Sequence, residues 1–237
     1  MSGDPRRRLA RRTWRDVGRD EVLLVPVGST EQHGPHLPLD TDTVVAVAVA
    51  EAAAAALRVG LDRDVVVAPA VVYGSSGEHQ SFAGTLSIGT HALRVLLVEL
   101  VRSAATWADR VVLVNGHGGN LDAVTGAVTQ LVHEGLDVDW VPCATEDVDL
   151  HAGRTETSLM LHLRPDSVHL DLAEAGCTSP LAELLPLLRA GGVAAVSPNG
   201  VLGDPAGASA DEGARVLAAM AHAVVRQAGT RHPAARR

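Results

Sequence analysis

Three apolar stretches, each followed by a polar loop and then by a helix-forming segment, constrain the fold of this chain more than any other feature. The stretches cover residues 21–27, 65–72 and 110–114. Nearly continuous runs of Val and Leu are typical of strands buried on both faces of a parallel sheet. Repeated strand–loop–helix units favour right-handed crossover connections. The sequence therefore predicts a three-layer α/β domain with helices on both faces of a mostly parallel central sheet.

The remaining segments give finer predictions. Helices are expected at 44–57, 91–108 and 121–134, a fourth strand at 138–143, and a last helix that ends near 227. Pro69 donates no backbone hydrogen bond, so the second strand is expected to be an edge strand or irregular. Residues 165–180 are expected to be loop with a short strand at 167–170. Residues 191–207 are rich in Gly and Pro and predict a long loop over the surface or over a site.

Composition narrows the class of protein. With 237 residues, 46% hydrophobic and 20% charged, the chain suits one large globular domain. A net charge of −8 and an aromatic content of 2% argue against a nucleic-acid-binding protein, because both phosphate contacts and base-stacking surfaces would be scarce. Cys143 and Cys177 form no CxxC pair or disulfide framework, so a reducing cytoplasm is the expected location. No apolar run predicts a membrane span or a signal peptide.

The ends of the chain differ from its middle. Residues 1–13 carry several arginines and no apolar pattern, which predicts a flexible tail. An arm that binds acidic partners is the alternative interpretation of these arginines. Residues 14–229 are expected to form a single domain, and residues 230–237 a frayed end.

The loop after the first strand, residues 28–42, carries three good metal ligands. They are Glu31, His33 and Asp42. Glu31 and His33 are two residues apart, so in extended backbone they point the same way. Asp42 either caps the following helix or turns its carboxylate inward. Carboxylate and imidazole together are the ligands expected of a hydrolytic Zn, Mn or Fe site; a capped helix beside a solvated loop is the alternative.

The loop after the third strand has the sequence Asn-Gly-His-Gly-Gly-Asn, residues 115–120. Because the carboxyl ends of parallel strands meet at one edge of a sheet, His117 becomes a candidate ligand beside the first loop. Backbone N–H groups at Gly118 and Gly119, at the start of the next helix, are placed to stabilise an anion or an oxyanion. A glycine-rich turn with an uninvolved histidine is the alternative.

Two further segments carry polar side chains toward the same edge. His151 and Glu156 lie at the start of an expected helix, so both can reach one pocket; Glu156 is otherwise a first-turn glutamate favoured by the helix dipole. The Gly/Ser-rich loop 74–90 carries Glu78 and His79, which are candidates for substrate contact or ordinary polar loop residues.

Taken together, residues 28–42, 115–120 and 151–158 resemble the creatininase family, in order and over about residues 14–226. Loops 74–90 and 191–205 are most similar to the branch of that family that serves the mycofactocin system. The resemblance implies a dinuclear metal amidohydrolase with a creatininase-like fold. It implies that Glu31 and His117 hold one metal ion, that His33 holds the other, and that Asp42 bridges them.

The chain departs from creatininase itself at one ligand. Creatininase has a glutamate ligand two residues after the histidine that matches His117, and here that position is Gly119. Glu156 is expected to supply the missing ligand. The departure, and the absence of tryptophan after Trp140, argue against creatinine as the substrate.

The resemblance further implies hydrolysis of a peptide bond near the C-terminus of a modified precursor peptide, which releases a Val-Tyr-derived dipeptide core. His151 is expected to carry the proton to the leaving amine, with Glu156 as ligand, base or both. The cofactor is expected to be two divalent ions per subunit, Zn²⁺, Fe²⁺ or Mn²⁺, and the assembly a homo-oligomer, a hexamer by family analogy. A small-amide amidohydrolase and a metal-binding scaffold without catalysis are the alternatives.

Overall fold

The computed structural model describes residues 7–57, 64–145 and 149–229. The main elements alternate along the chain as predicted: β1 Glu21–Val27, α1 Thr41–Leu57, β2 Val65–Val67, α2 Gly89–Ala104, β3 Ala108–Asn115, α3 Leu121–His133, β4 Val138–Pro142, α4 Arg154–Leu163, α5 Leu181–Gly191 and α6 Ala210–Gly229. The predicted strand at 167–170 is wrong, since this segment lies between two short 3₁₀ turns, Pro165–Ser167 and Leu170–Leu172.

The central sheet is parallel and has the strand order β2-β1-β3-β4. All seven residues of β1 are buried, as expected of a strand that is paired on both sides and covered on both faces. Strand β2 is an edge strand and ends at Val67, two residues before Pro69. The chain returns to the sheet only in a single bridge between Val27 and Val71. The predicted edge position and irregularity at Pro69 are therefore observed.

Two hydrophobic layers hold the helices on opposite faces of the sheet. Alternate residues of β1 point to opposite sides, so Leu24 packs against α1, α4 and α6, whereas Leu23 and Val25 pack against α2 and α3. The result is the predicted three-layer α/β architecture. Side chains such as Leu113 are fully buried between the sheet and the layer formed by α2 and α3.

All four strands point their carboxyl ends to the same edge of the sheet, because the strands are parallel. The segments that leave this edge are 28–40 after β1, 68–88 after β2, 116–120 after β3 and 143–153 after β4. Every site residue proposed from the sequence lies on one of these segments or in the first turns of α1 or α4.

Part of the predicted N-terminal tail lies against the domain. Arg8 forms a bridge to Val67, and its guanidinium pairs with Glu51 at 2.6 Å. The Arg12 guanidinium lies 2.8 Å from the buried Glu21 carboxylate. Residues 1–6 and the predicted frayed end, 230–237, lie outside the described residues. Within the described part, no helix combines the length and the apolar character needed to cross a bilayer.

Candidate metal centre

Two asparagines of the third-strand loop tie three converging segments together. The Asn120 side chain accepts a hydrogen bond from the Ser75 N–H at 2.8 Å and donates one to the Gly28 carbonyl at 3.0 Å. Asn115 donates to the His117 carbonyl at 2.7 Å. Because these bonds are buried, they set the separation of the loops that carry the polar site residues.

The first cluster at this edge comprises Glu31, Asp42 and His117. His117 Nε2 lies 3.1 Å from Glu31 Oε2, and His117 Nδ1 lies 3.2 Å from Asp42 Oδ2. All three side chains are buried. Asp42 sits in the first turn of α1 but turns its carboxylate inward, where Ser29 Oγ donates to it at 2.6 Å. The inward alternative for Asp42 is thus the one observed.

The second cluster comprises His33, His151 and Glu156, and it adjoins the first through Asp42. His33 Nε2 lies 3.0 Å from Asp42 Oδ1 and 3.9 Å from Glu156 Oε2. The His151 ring lies beside the His33 ring, with centroids 4.4 Å apart. The structure therefore brings together the five residues predicted as metal ligands, with His151 beside them.

The loop after β2 adds two more polar side chains to the centre. His79 Nε2 lies 3.2 Å from Glu31 Oε1, and Glu78 Oε1 lies 3.3 Å from His117 Nε2. His79 is buried, whereas the Glu78 side chain is about one-third exposed at 32%. Glu78 therefore lies at the exposed rim of the centre, and His79 lies among the candidate ligands.

Gly118 and Gly119 differ in what surrounds them. A Cβ atom on Gly118 would meet no other atom within 4 Å, so this residue faces open space at the centre. A Cβ atom on Gly119 would overlap Glu78 Oε1, His117 Nε2 and the Ser75 carbonyl oxygen. The position at which creatininase itself carries a glutamate is therefore occupied by atoms of neighbouring segments.

Burial and mutual repulsion perturb the titration of these groups. Burial raises the pKa of Glu31 to about 7, against the opposing pull of His117, and burial likewise raises the pKa of Glu156 to about 7. Burial alone would lower the pKa of His33, but the charges of Asp42 and Glu156 raise it to about 10. The anionic forms of Glu31 and Glu156 are thus costly unless a cation lies beside them.

The residues present fit divalent cations. Both carboxylate oxygens of Glu31 are fully buried and receive no hydrogen bond of regular geometry from the described residues. A buried carboxylate that lacks well-aligned donors is the group that a cation satisfies. Ligand atoms of Glu31, Asp42 and His117 lie within 4.8 Å of one another, and so do those of His33, His151 and Glu156. Carboxylate and imidazole ligands suit Zn²⁺, Mn²⁺ or Fe²⁺.

Sequence reasoning missed two residues of this centre, Ser29 and Gln32. Ser29 is the hydroxyl donor to Asp42, and Gln32 lies between Glu31 and His33 in the sequence, with its amide nitrogen 2.7 Å from His79 Nδ1. Both lie inside the 28–42 loop, but an amide or a hydroxyl in a polar loop gives no signal of its own. Only the fold shows that Gln32 turns inward.

Known proteins match nearly the whole of this chain. The family model described as "Creatininase: Creatinine amidohydrolase" matches residues 10–228. The chain is 59% identical over 199 residues to the mycofactocin precursor peptide peptidase of Mycolicibacterium smegmatis, which covers 84% of this chain and 81% of that protein. The solved structure named creatinine amidohydrolase (creatininase) matches with a TM-score of 0.74 at 25% identity, over 94% of this chain and 96% of that one. A solved structure named "Creatininase Mn" gives a TM-score of 0.74 at 26% identity, over 93% and 96% of the two chains.

We predict that metal binding releases protons, and more of them at about pH 6 than at about pH 8. His33, with a pKa of about 10, is protonated at both pH values and must lose its proton to bind a metal ion. Glu31 and Glu156, with pKa values of about 7, hold protons at the lower pH that a metal ion displaces. The apparent affinity should therefore fall as the pH falls.

Calorimetric titration of the metal-free chain in buffers with different ionisation enthalpies measures this release. The Glu31→Gln variant removes one of the protons that a metal ion displaces. The number of protons released on metal binding should therefore differ less between about pH 6 and about pH 8 in this variant than in the wild type. Equal proton release at both pH values would contradict the prediction.

Proposed function

The chain belongs to the creatininase family, and from that premise we propose that it is a dinuclear metal-dependent peptidase. Its substrate is the modified mycofactocin precursor peptide, and it hydrolyses a peptide bond near the C-terminus to release the Val-Tyr-derived dipeptide core. The observation that carries the proposal is the buried carboxylate–imidazole centre. It occurs in a chain that is 59% identical to a protein named mycofactocin precursor peptide peptidase. Solved creatininases to which the chain is similar include one named Mn and one of Zn–Zn type, which supports a divalent metal ion without choosing among the metals.

The side chains divide the binding of two ions between them. Glu31 and His117 would hold one ion, His33 and Glu156 the other, and Asp42 would bridge them, since its Oδ1 faces His33 and its Oδ2 faces His117. Such a pair of ions lowers the pKa of a shared water and polarises the amide carbonyl. Glu156 is itself about one-quarter exposed, with 23% of its side-chain surface accessible, so it borders the substrate as well as His33.

The chain's own groups handle the protons and the developing charge. His151 Nδ1 lies 3.8 Å from Glu31 Oε1 and faces the centre. It takes the proton given up as water adds to the carbonyl carbon and delivers it to the nitrogen that leaves when the C–N bond breaks. The N–H groups of Gly118 and Gly119 lie beside His117, where they suit the negative charge that develops on the carbonyl oxygen. Glu78 and His79 line the side of the centre formed by the loop after β2.

A pocket of about 230 Å³ adjoins the centre and disfavours an anionic substrate group, because three carboxylates, those of Asp42, Asp149 and Glu156, line it. His117 and His151 line it as well, and its exposed rim includes Leu121 and Leu150, which are 43% and 39% exposed. No Lys or Arg is among the described residues that line it. An apolar rim without a cation suits a peptide side chain next to the scissile bond better than a free carboxylate.

The Glu156→Ala variant tests the ligand assignment. We expect metal content to fall from about two ions to about one per chain, and dipeptide release to fall by roughly 100-fold or more, because the proposed second ion loses its carboxylate ligand. Metal analysis and chromatographic detection of the dipeptide provide the measurement.

The matched control for this variant is Glu174→Ala, which removes an exposed glutamate in a loop outside the centre. It should keep both metal content and activity. If Glu156→Ala also kept both, Glu156 would not be the replacement for the ligand lost at Gly119. If the wild type binds two ions but does not cleave the peptide, the result would favour the alternative function, hydrolysis of a small amide.

The Leu121→Asn variant tests the apolar rim. Asn has nearly the shape of Leu, so the change is mainly in polarity, and we expect kcat/KM for the peptide to fall roughly 10-fold as one apolar contact is lost. Leu121→Met keeps the apolar surface and should retain most of the activity. Metal content should be unchanged in both variants. Equal kcat/KM values for the two variants would remove Leu121 from the substrate pocket.

The predicted homo-oligomer has a candidate contact surface beside the edge strand. Tyr73, Ile88 and Leu96 are exposed there and border an apolar depression that also includes Trp107. The Tyr73→Asp variant should lower the sedimentation coefficient, because a buried charge weakens an apolar interface. Leu187→Asp, outside this surface, is the control. A wild-type chain that sediments as a monomer would refute the oligomer.

A further inference from the structure

The Gln32 side chain lies at the junction of two histidines and a distant loop. Its Nε2 is 2.7 Å from His79 Nδ1, 2.9 Å from His151 Nε2 and 3.0 Å from the Gly200 carbonyl oxygen. Its Oε1 accepts a hydrogen bond from the Gly34 N–H at 2.8 Å. The side chain is only 5% exposed, so water does not compete for these groups. The Gly34 bond sets the orientation of the amide, since only the oxygen can accept it.

Counting hydrogen atoms settles which contacts are hydrogen bonds. The amide nitrogen has two hydrogens but three neighbours. His151 Nε2 also lies 2.8 Å from the backbone carbonyl oxygen of Gln32, to which it can donate. If it does so, the two amide hydrogens are left for His79 Nδ1 and the Gly200 carbonyl, and each of these four groups, namely His79 Nδ1, His151 Nε2 and the carbonyls of Gln32 and Gly200, has a partner. If His151 Nε2 instead accepted from the amide, the Gln32 carbonyl would lose its donor, and either His79 or Gly200 would lose another.

The satisfied arrangement assigns a tautomer to each histidine. His151 carries its proton on Nε2, so Nδ1 is free and faces the carboxylates, 3.8 Å from Glu31 Oε1. His79 accepts at Nδ1, so it carries its proton on Nε2, which lies 3.2 Å from the same oxygen. His79 therefore presents an N–H group to Glu31 and does not offer a lone pair to a metal ion.

We propose that Gln32 is the positioning residue of this centre. Its side-chain amide holds His79 as an N–H donor toward Glu31, and its backbone carbonyl holds His151 with Nδ1 free for proton transfer. This inference rests on the proposed function for the role of His151, but the tautomers themselves are a property of the metal-free chain.

The same amide links the centre to loop 191–207. Gly200 has a positive φ of 81°, and a Cβ atom there would overlap the Gln32 amide. Two residues on, Leu202 pairs with His151 in an antiparallel bridge. Loop 191–207 is thus packed directly on Gln32, so displacing this loop should disturb the tautomers of the two histidines.

Two variants of Gln32 separate its donor role from its bulk. Gln32→Glu replaces the donating NH₂ group by an oxygen that accepts, so His79 should move its proton to Nδ1. Gln32→Met keeps the length without hydrogen bonds, so His79 should show a mixture of tautomers. The ¹⁵N shifts of the imidazole rings, measured in the metal-free protein, distinguish these states. Gln80→Glu, an exposed neighbour of His79, is the control for the added charge and should leave the His79 shifts unchanged.

Activity provides the second readout. In Gln32→Met we expect kcat for the precursor peptide to fall roughly 10- to 100-fold, which is the range for residues that orient the side chains of a metal centre. KM should change by less than about 3-fold. Gly200→Ala should shift the imidazole ¹⁵N signals of His79 in the same direction as Gln32→Met does. This variant leaves the histidines and Gln32 unsubstituted, so it provides the test if the Gln32 variants fail to fold.

Unchanged imidazole shifts in the Gln32 and Gly200 variants would overturn the proposal. So would wild-type kcat in Gln32→Met. If the wild type does not cleave the peptide at all, the proposed function fails, whereas the imidazole shifts still decide the role of Gln32.

Discussion

The negative charge buried at the carboxyl edge of the sheet is the constraint on which the rest of the structure depends. Glu31 and Asp42 are both buried, and each lies about 3 Å from a nitrogen of the one His117 ring, at 3.1 and 3.2 Å. Carboxylates removed from water are unfavourable unless cations or donors surround them. Among the described residues, the groups that oppose the burial of Glu31 are histidines, and burial still raises the pKa of Glu31 to about 7. Metal ions would complete a centre that the fold has left short of positive charge.

The parallel sheet holds these buried charged side chains close together, because the loops that carry them all begin at rigid, adjacent strands. Strands β1 and β3 are adjacent, and all their residues except Asp109 are buried. The loops that follow them therefore leave the sheet side by side. Asn120 then locks the loop after β3 to both the β1 and β2 segments through buried hydrogen bonds. Polar groups that are held by satisfied networks keep their separation without a ligand. The centre is therefore largely preformed.

The fold and the ligand residues were predictable from the sequence for a definite reason. Apolar runs of strand length, followed by glycine-rich loops and helices, leave few alternatives to a parallel α/β sheet, and that topology alone sends Glu31, His33 and His117 to one edge. His151 and Glu156 were candidates from their own segment, and the departure from creatininase at Gly119 then gave Glu156 its expected role as a ligand. The role of Gln32 was not predictable, because it depends on backbone carbonyls of residues 32 and 200 that periodicity does not place. The strand expected at 167–170 failed for a similar reason, since a short apolar segment without a pairing partner has no ladder to join.

The geometry also bears on how one ligand position can move within the family. Gly119 stands where creatininase itself carries a glutamate, and two carboxylates approach the region: Glu78 and Glu156. Glu78 lies 3.3 Å from His117 Nε2, on the side of the centre where Glu31 and Asp42 already supply negative charge. Glu156 instead faces His33, where Asp42 is the only other carboxylate within 4 Å among the described residues. The second ion that we propose on the His33 side would need its own carboxylate, so the charge distribution favours Glu156 for that role and leaves Glu78 to fill the space beside Gly119. Because several loops converge at one edge, a ligand lost from the β3 loop can be supplied from the first turn of α4 without a change of fold.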